Sequence, residues 1–254
     1  MTKSTTCSLQ RLSLLSFWLT GVACVRILPH DYAYDSQAGY PKDDGQRRLV
    51  NVPIPKSPDD HLVTTLPYLD HSMTSAQWAG LLPASSTEDK FLFYWLFAPD
   101  TTTFPGNEQD IPLLLWLNGG PGCSSMDGLF IEHGPLQLLA EAGSWKLTER
   151  PFSWHKAPAY VLYLDQPVGT GLSFTTTNSY PRLDDAVNAD FYYWLLQFFQ
   201  LHADKFLNDA KNQVRRPFFF SGESHAGNNI IALILILLLL LLLLLLGKRG
   251  AILT

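Results

Sequence analysis

The sequence predicts an α/β fold with a mostly parallel central sheet and flanking helices. Two five-residue segments, Leu113–Leu117 and Tyr160–Leu164, are apolar or aromatic throughout, as are strands buried on both faces of a parallel sheet. An amphipathic helical pattern separates the second of them from a third apolar strand, Phe218–Phe220. Strand, helix and strand in this order imply parallel pairing through crossover connections.

The composition supports one sizeable hydrophobic core. Of the 254 residues, 46% are hydrophobic and 13% are aromatic, which argues against intrinsic disorder. The 18 basic and 23 acidic residues give a net charge of −5, which is not the charge of a nucleic-acid-binding domain. We therefore expect no nucleic-acid partner.

The N-terminal residues 1–26 resemble a secretory signal peptide. Lys3 and Arg11 precede an apolar stretch over residues 12–25, which ends in small residues. A buried helix or a retained membrane anchor is the alternative, although the apolar stretch is short for a membrane span. Residues 27–65 are rich in Pro, Asp and Gly, and they are predicted to form an irregular lead-in or a pro-segment.

The pattern of regular structure becomes clear from Lys90 onwards. Phe91–Phe97 is expected to form an aromatic strand that ends at Pro99. The helix between the later strands begins near Asp184 and Asp185, where the helix dipole favours negative charge. Its apolar residues recur at helical spacing: Val187, Phe191, Trp194, Leu195, Phe198 and Phe199.

The C-terminal residues 232–254 differ in composition from the rest of the chain. Ile230–Leu246 is an unbroken apolar run, and Lys248 and Arg249 follow it. Its length is at the short limit for a transmembrane helix, and the two cations suit a cytoplasmic edge. Because the run is almost pure leucine, we favour low-complexity sequence from a mispredicted exon over a membrane span, in which residue types are normally mixed.

A nucleophile elbow is predicted directly after the third strand. Gly222–Gly227 places Ser224 two residues after a glycine and two residues before an alanine. A catalytic serine on a sharp strand-to-helix turn needs small residues at these positions, as in α/β-hydrolases. The N–H of His225 would lie at a helix start, directed at a developing oxyanion. The alternative is an ordinary Gly-Ser turn.

A second glycine-rich segment, Asn118–Ser125, follows the strand Leu113–Leu117. It lies upstream of the elbow, at the strand end where α/β-hydrolases carry their other oxyanion donor. Glycines allow the backbone to approach a ligand closely, and Asn118 adds a neutral amide donor.

Three segments together resemble the signature blocks of the serine carboxypeptidase family: Asn118–Ser125, Leu164–Gly171 and Ser221–Gly227. The resemblance covers residues 66–231 in the family's order, and residues 123–128 resemble the pheromone-processing, Kex-type branch. It implies that the chain is the N-terminal half of an α/β-hydrolase fold that acts on peptide or protein C-termini without a cofactor or metal. The segment Asp165–Gly171 is expected to be a structural turn near the site.

The same resemblance implies roles for individual residues. Ser224 is the nucleophile, and the N–H groups of Gly120 and His225 form the oxyanion hole. Cys123 matches a position that forms a disulfide in the family, with a partner outside this chain. The residues implied in binding the substrate carboxylate are Asn118, Gly119, Glu132 and Glu223.

Acidic conditions are expected to favour peptide binding. An ionised glutamate accepts hydrogen bonds but cannot donate them to a substrate carboxylate. If Glu132 and Glu223 lie close together, their repulsion raises one pKa and retains a shared proton that can be donated. This predicts an acidic secretory, vacuolar or lysosomal compartment. The alternative is two unrelated surface glutamates.

The catalytic acid and base are not found after the serine. In α/β-hydrolases the chain order is Ser, then Asp or Glu, then His. After Ser224 this sequence has no Asp or Glu, and its only histidine is His225. We expect the upstream His133 and His155 to be satisfied core or loop residues. The 254 residues alone are therefore predicted to be a fragment without activity.

Two further functions remain open. The first is a serine carboxypeptidase-like acyltransferase, which keeps the same elbow and transfers the acyl group to an alcohol. The second is a non-catalytic, membrane-anchored fragment that uses Ile230–Leu246 as a span. The carboxylate-binding set favours the peptidase, and the sequence does not predict an oligomeric state.

Overall fold

A computed structural model of the protein describes residues 52–69, 73–100, 111–141, 143–211, 213–228 and 230–231. The predicted signal peptide and the Leu-rich tail lie outside these residues, as does most of the predicted lead-in segment. Within the described ranges, no helix has both the length and the hydrophobicity needed to cross a membrane.

The described residues form a six-stranded mixed sheet and a separate two-stranded hairpin. The order in the large sheet is β1-β2-β6-β3-β8, with β7 paired to β2, and β4 pairs with β5. The strands are β1 (Gln77–Pro83), β2 (Lys90–Phe97), β3 (Leu113–Leu117), β4 (Leu136–Glu141), β5 (Ser144–Glu149), β6 (Tyr160–Leu164), β7 (Phe174–Thr175) and β8 (Phe218–Gly222).

The strands that carry the candidate site are parallel. β3 pairs in parallel with both β6 and β8, as the strand–helix–strand order predicts. β2 is antiparallel to β1, β6 and β7, so the sheet is parallel on one side and antiparallel on the other. The predicted strands over 91–97, 113–117, 160–164 and 218–220 are all present.

Both faces of β3 and β6 are buried, which explains their uninterrupted apolar sequences. Because side chains alternate along a strand, Leu115 and Leu162 pack in one core, while Trp116, Val161 and Tyr163 pack in a second core on the opposite face. Residues of the β4–β5 hairpin contribute to that second core. The central sheet therefore lies between two hydrophobic layers.

Two α-helices, α1 (Asp184–Leu201) and α2 (Ala203–Phe206), precede a further helical segment at residues 226–228 and 230–231. α1 covers one face of the sheet, and Asp184 and Asp185 occupy its first turn, as predicted. Its buried aromatic and aliphatic side chains belong to the first core: Phe191, Trp194, Leu195, Phe198 and Phe199. Short helical turns also form at Pro58–His61, Gly128–Glu132 and Trp154–Lys156.

Candidate active site

Ser224 lies in a sharp turn between a strand and a helix. β8 ends at Gly222, and residues 226–228 and 230–231 are helical. Ser224 itself has φ of 51°, a left-handed conformation that costs free energy for any residue with a Cβ. This is the strand–turn–helix geometry that the Gly222–Gly227 spacing predicts.

The small residues around Ser224 are required by close packing. A Cβ atom at Gly222 would lie 2.6 Å from the carbonyl oxygen of Leu117 and 2.8 Å from the Cβ of Ala226. Both distances are below normal van der Waals contact, and one neighbour is backbone that cannot move aside. A glycine at 222 and a small residue at 226 therefore allow the turn to form.

The loop after β3 contacts the turn at Ser224. Because β3 and β8 are parallel neighbours, Leu117 pairs with Gly222 and the two strands end at the same level. A Cβ atom at Gly119 would lie 2.8 Å from the Cβ of Ser224 and 3.2 Å from the backbone nitrogen of His225. The predicted proximity of the two glycine-containing segments is thus observed.

The neighbouring residue, Gly120, has φ of +113°, which favours glycine. A Cβ atom there would lie 2.9 Å from the nitrogen of Gly122 and 3.0 Å from that of Cys123. The loop is closed by the N–H of Cys123, which donates to the carbonyl of Gly119 over 3.1 Å. Cys123 itself is partly buried, and its disulfide remains a prediction.

Asp165, at the end of β6, holds this loop to the one that follows β6. Its carboxylate accepts hydrogen bonds from the hydroxyl of Ser124 (2.7 Å), the N–H of Ser125 (2.8 Å) and the N–H of Leu172 (2.9 Å). Burial raises the pKa of Asp165, and these hydrogen bonds oppose the rise. A Cβ at Gly171 would overlap the carboxylate. The expected structural turn therefore includes a buried carboxylate that connects two loops.

Asn118 joins the two glutamates whose proximity was the condition for a shared proton. Its Nδ2 donates to Oε1 of Glu223 over 3.1 Å and to Oε1 of Glu132 over 3.3 Å. Its Oδ1 accepts from the indole N–H of Trp116 (2.7 Å) and from the N–H of Gly128 (3.2 Å). Because Asn118 is only 6% exposed and bonded on both sides of its amide, its orientation is fixed.

The pKa values of Glu132 and Asp127 are raised. Burial raises the pKa of Glu132, the hydrogen bond from Asn118 opposes this, and the charges of Glu223 and Asp127 add to the rise. Burial and the charge of Glu223 likewise raise the pKa of Asp127. Asp127 was not identified as a site residue from the sequence, although it lies in the segment 123–128 that carries the Kex-type resemblance.

The described histidines are not placed as a base for Ser224. Among the residues that the structure describes, no histidine forms a hydrogen bond with the hydroxyl of Ser224. His133 lies next to Glu132, with Nε2 at 4.0 Å from Oε2. This Nε2 atom is buried without a hydrogen-bond partner among the described residues, and so is Nε2 of His155. Nδ1 of each ring is hydrogen-bonded, so the expectation that both are satisfied core or loop residues is met at one nitrogen of each ring and not at the other.

His155 lies in a separate cluster of charged groups with Asp100 and Glu149, which are close enough together to hold a metal ion. The ammonium of Lys156, however, lies 3.5 Å from a carboxylate oxygen of each acid. Lysine already supplies the positive charge that these carboxylates need, so the cluster is explained as an ion-pair network.

A cavity of about 400 Å³ opens beside Glu132 and His133, with Phe152 and Trp154 in its lining. A larger groove of about 830 Å³ is lined by residues of α1 and β1 and by Ile54–Lys56. The larger groove includes none of the predicted site residues, whereas the smaller cavity adjoins one of the two paired glutamates.

Comparison with known proteins adds an independent result. The sequence profile of the family described as Serine carboxypeptidase matches residues 67–238. The chain is 44% identical over 179 residues to Serine carboxypeptidase S10 family member 2 of Dictyostelium discoideum, covering 70% of this chain and 30% of that protein. It is 36% identical over 180 residues to Pheromone-processing carboxypeptidase KEX1 of Phytophthora infestans, covering 70% and 28%.

Among solved structures, the chain is similar to KEX1(delta)p, a prohormone-processing carboxypeptidase from Saccharomyces cerevisiae. The TM-score is 0.59 and the sequence identity 27%, over 72% of this chain and 39% of that one. This similarity confirms the predicted α/β-hydrolase fold. The chain spans about a third of the length of these relatives.

Proposed function

The chain belongs to the serine carboxypeptidase family, and we propose that its Ser224 site releases C-terminal residues from peptides through an acyl-enzyme. Ser224 is the nucleophile that attacks the scissile carbonyl. The N–H groups of Gly120 and His225 bind the oxyanion that forms on it. The strained turn at Ser224 and its contact with Gly119 support these roles.

Asn118, Gly119, Glu132 and Glu223 bind the C-terminal carboxylate of the substrate. The observation that carries this proposal is the side-chain amide of Asn118, which donates to both glutamates at once. Because the two carboxylates share one amide donor, some of their oxygen atoms remain available to bind a proton and a ligand. The position of Glu223, directly before Ser224, puts the bound carboxylate close to the nucleophile.

Binding of the carboxylate requires a proton on the Glu132–Glu223 pair. Since the pKa of Glu132 is raised above that of an ordinary glutamate, the proton is retained to a higher pH than usual. As the pH rises through that raised pKa the proton is lost, and two negative charges then face the substrate carboxylate. Affinity for peptides should therefore fall by up to about tenfold per pH unit above this pKa.

We also propose that the 254 residues alone do not turn over peptides. No described histidine reaches Ser224, and a serine without a base is a weak nucleophile. Purified chain should show no hydrolysis of an N-blocked dipeptide beyond that of Ser224→Ala. Turnover that disappears in Ser224→Ala would overturn this part of the proposal and leave the assignment of Ser224 intact.

The protein is proposed to act in an acidic compartment of the secretory pathway. The N-terminal pattern of charged, apolar and small residues supports entry into this pathway, where a disulfide at Cys123 would persist. The proton requirement of the Glu132–Glu223 pair supports an acidic destination. Membrane association is proposed only through the Leu-rich run 230–246.

Equilibrium binding tests the carboxylate site without requiring turnover. The chain is immobilised through a terminal tag and titrated with an N-acylated dipeptide and with its C-terminal amide. The free acid should bind about tenfold or more tightly than the amide near pH 4.5, and this preference should decline towards neutral pH. Equal affinity for acid and amide at every pH would contradict the proposed function.

A further inference from the structure

The ring of His133 is held rigidly behind the carboxylate site. It follows the helical turn Gly128–Glu132 and stacks on Trp154, with ring centroids 3.7 Å apart and planes inclined by 14°. Trp116, which also binds Asn118, contacts the ring edge-on with centroids 4.3 Å apart. These contacts leave the imidazole little freedom to rotate.

The hydrogen bond to Tyr163 determines which nitrogen of His133 carries the proton. Tyr163 is fully buried in β6, and a buried tyrosine hydroxyl needs an acceptor for its proton. Nδ1 of His133, at 3.2 Å from the hydroxyl oxygen, provides this acceptor. With Nδ1 as the acceptor of this hydrogen bond, the proton of the neutral ring is assigned to Nε2.

The protonated Nε2 faces Glu132. Burial, reinforced by the charge of Arg150, lowers the pKa of His133 to about 4, so the ring is neutral over most of the pH range considered. Nε2 is buried without a partner among the described residues and lies 4.0 Å from Oε2 of Glu132. Since the Glu132 side chain is 31% exposed, an approach of about 1 Å would form a hydrogen bond.

We infer that His133 is a positioning residue of this site: its Nε2–H group stabilises the ionised form of Glu132 and so sets the pH at which the Glu132–Glu223 pair loses its shared proton. This inference rests on the proposed carboxylate-binding function. The neutral donor favours the carboxylate over the carboxylic acid, so it opposes burial and the charges of Glu223 and Asp127. The pair therefore ionises at a lower pH than it would without His133.

Other polar and charged groups face the Glu132–Glu223 pair from neighbouring elements. Asn118, after β3, donates to both glutamates, and Asp127 acts on Glu132 through its charge. Arg150, after β5, acts on the His133 ring, but its guanidinium donates to the backbone carbonyls of Phe130 and Gly134. Lys156 also lines the cavity beside Glu132 and His133, but its ammonium lies 3.5 Å from a carboxylate oxygen of Asp100 and of Glu149.

The pH dependence of dipeptide binding tests the inference in the immobilised wild-type chain and two variants. In His133→Leu the donor is lost, and the pH midpoint at which free-acid binding declines should rise by about one unit. In His133→Gln an amide N–H replaces Nε2–H, so the midpoint should stay at the wild-type value. Affinity on the acidic plateau should be equal in all three proteins, because Glu132 is protonated there.

The possible results distinguish a failure of the proposed function from a failure of the role inferred for His133. A wild-type chain that binds acid and amide equally would reject the function itself. A wild-type chain with the expected preference, together with an unmoved midpoint in His133→Leu, would reject only the role of His133. Loss of binding in both His133 variants at acidic pH would show a purely structural role and would also overturn the inference.

A direct measurement does not depend on any variant. Long-range ¹H–¹⁵N correlation spectra of the wild-type chain distinguish the two neutral tautomers of a histidine. The inference requires that His133 carries its proton on Nε2 between about pH 5.5 and 7. A signal of the Nδ1–H tautomer, or of a charged ring, in this range would overturn it even if His133→Leu fails to fold.

Discussion

Asp165 and the Glu132–Glu223 pair are both carboxyl groups beside the same glycine-rich loop, yet their surroundings differ. Asp165 is fully buried and accepts three hydrogen bonds from two loops. Glu132 and Glu223 receive one amide group between them. A carboxylate that maintains the fold is provided with donors by the fold, whereas this pair has fewer donors than oxygen atoms and so keeps the capacity to bind a proton and a ligand.

The largest expected effect is the loss of stability in a variant of Asp165. Asp165→Ala leaves three donors without an acceptor, and each buried unsatisfied donor costs about 1–3 kcal/mol. The free energy of unfolding should therefore fall by about 3–5 kcal/mol, measured by denaturant titration of the chain. A loss below about 1 kcal/mol would mean that Asp165 does not hold the two loops together.

Glu132→Gln should change peptide binding and leave stability almost unchanged, in contrast to Asp165→Ala. The amide removes a charge from the crowded pair and donates a hydrogen bond at every pH, so the free energy of unfolding should change by no more than about 0.5 kcal/mol. Free-acid dipeptide should then bind about tenfold more tightly than to wild type near neutral pH, with little pH dependence remaining.

The matched control is Glu141→Gln, on the exposed β4–β5 hairpin. It should leave both the dipeptide affinity and its pH dependence at the wild-type values. If Glu132→Gln retained the wild-type pH profile, the pair would not share a functional proton, and the contrast with Asp165 would disappear.

The smallest expected effect is a change in stability that comes from backbone strain at Ser224. Ser224 has φ of 51°, so Ser224→Gly should raise the free energy of unfolding by about 1 kcal/mol. Ser224→Ala keeps the Cβ and the strain, and it should leave stability within about 0.5 kcal/mol of wild type. Equal stability of the two variants, measured by thermal or denaturant unfolding, would contradict a strained turn.

The central strands and the turn at Ser224 could be predicted from the sequence because their signals are local. Leu113–Leu117 and Tyr160–Leu164 are unbroken apolar runs, and the structure gives both strands these bounds. β1 and the β4–β5 hairpin were not predicted. The hairpin exposes Leu138, Leu139 and Trp145, so its sequence lacks the alternation that marks a half-buried strand.

The contacts of the site depend on register, which a single sequence does not specify. Asn118 reaches Glu223, 105 residues away, because β3 and β8 end side by side, whereas Glu132 is only 14 residues away along the chain. The donors to Asp165 lie about 40 residues before it and 7 residues after it. The family resemblance suggested that the two glutamates meet, but it gave no role to Asp165 or His133.

The shared proton of Glu132 and Glu223 is the central claim, and carboxyl ¹³C chemical shifts measured against pH test it most directly. The account predicts that Glu132 titrates above the usual glutamate range near 4.3 in the wild-type chain. In Glu223→Gln, Glu132 should titrate at a lower pH than in the wild-type chain, because the neighbouring charge is gone. Titration of Glu132 at the ordinary glutamate value in the wild-type chain, unmoved in Glu223→Gln, would contradict the account.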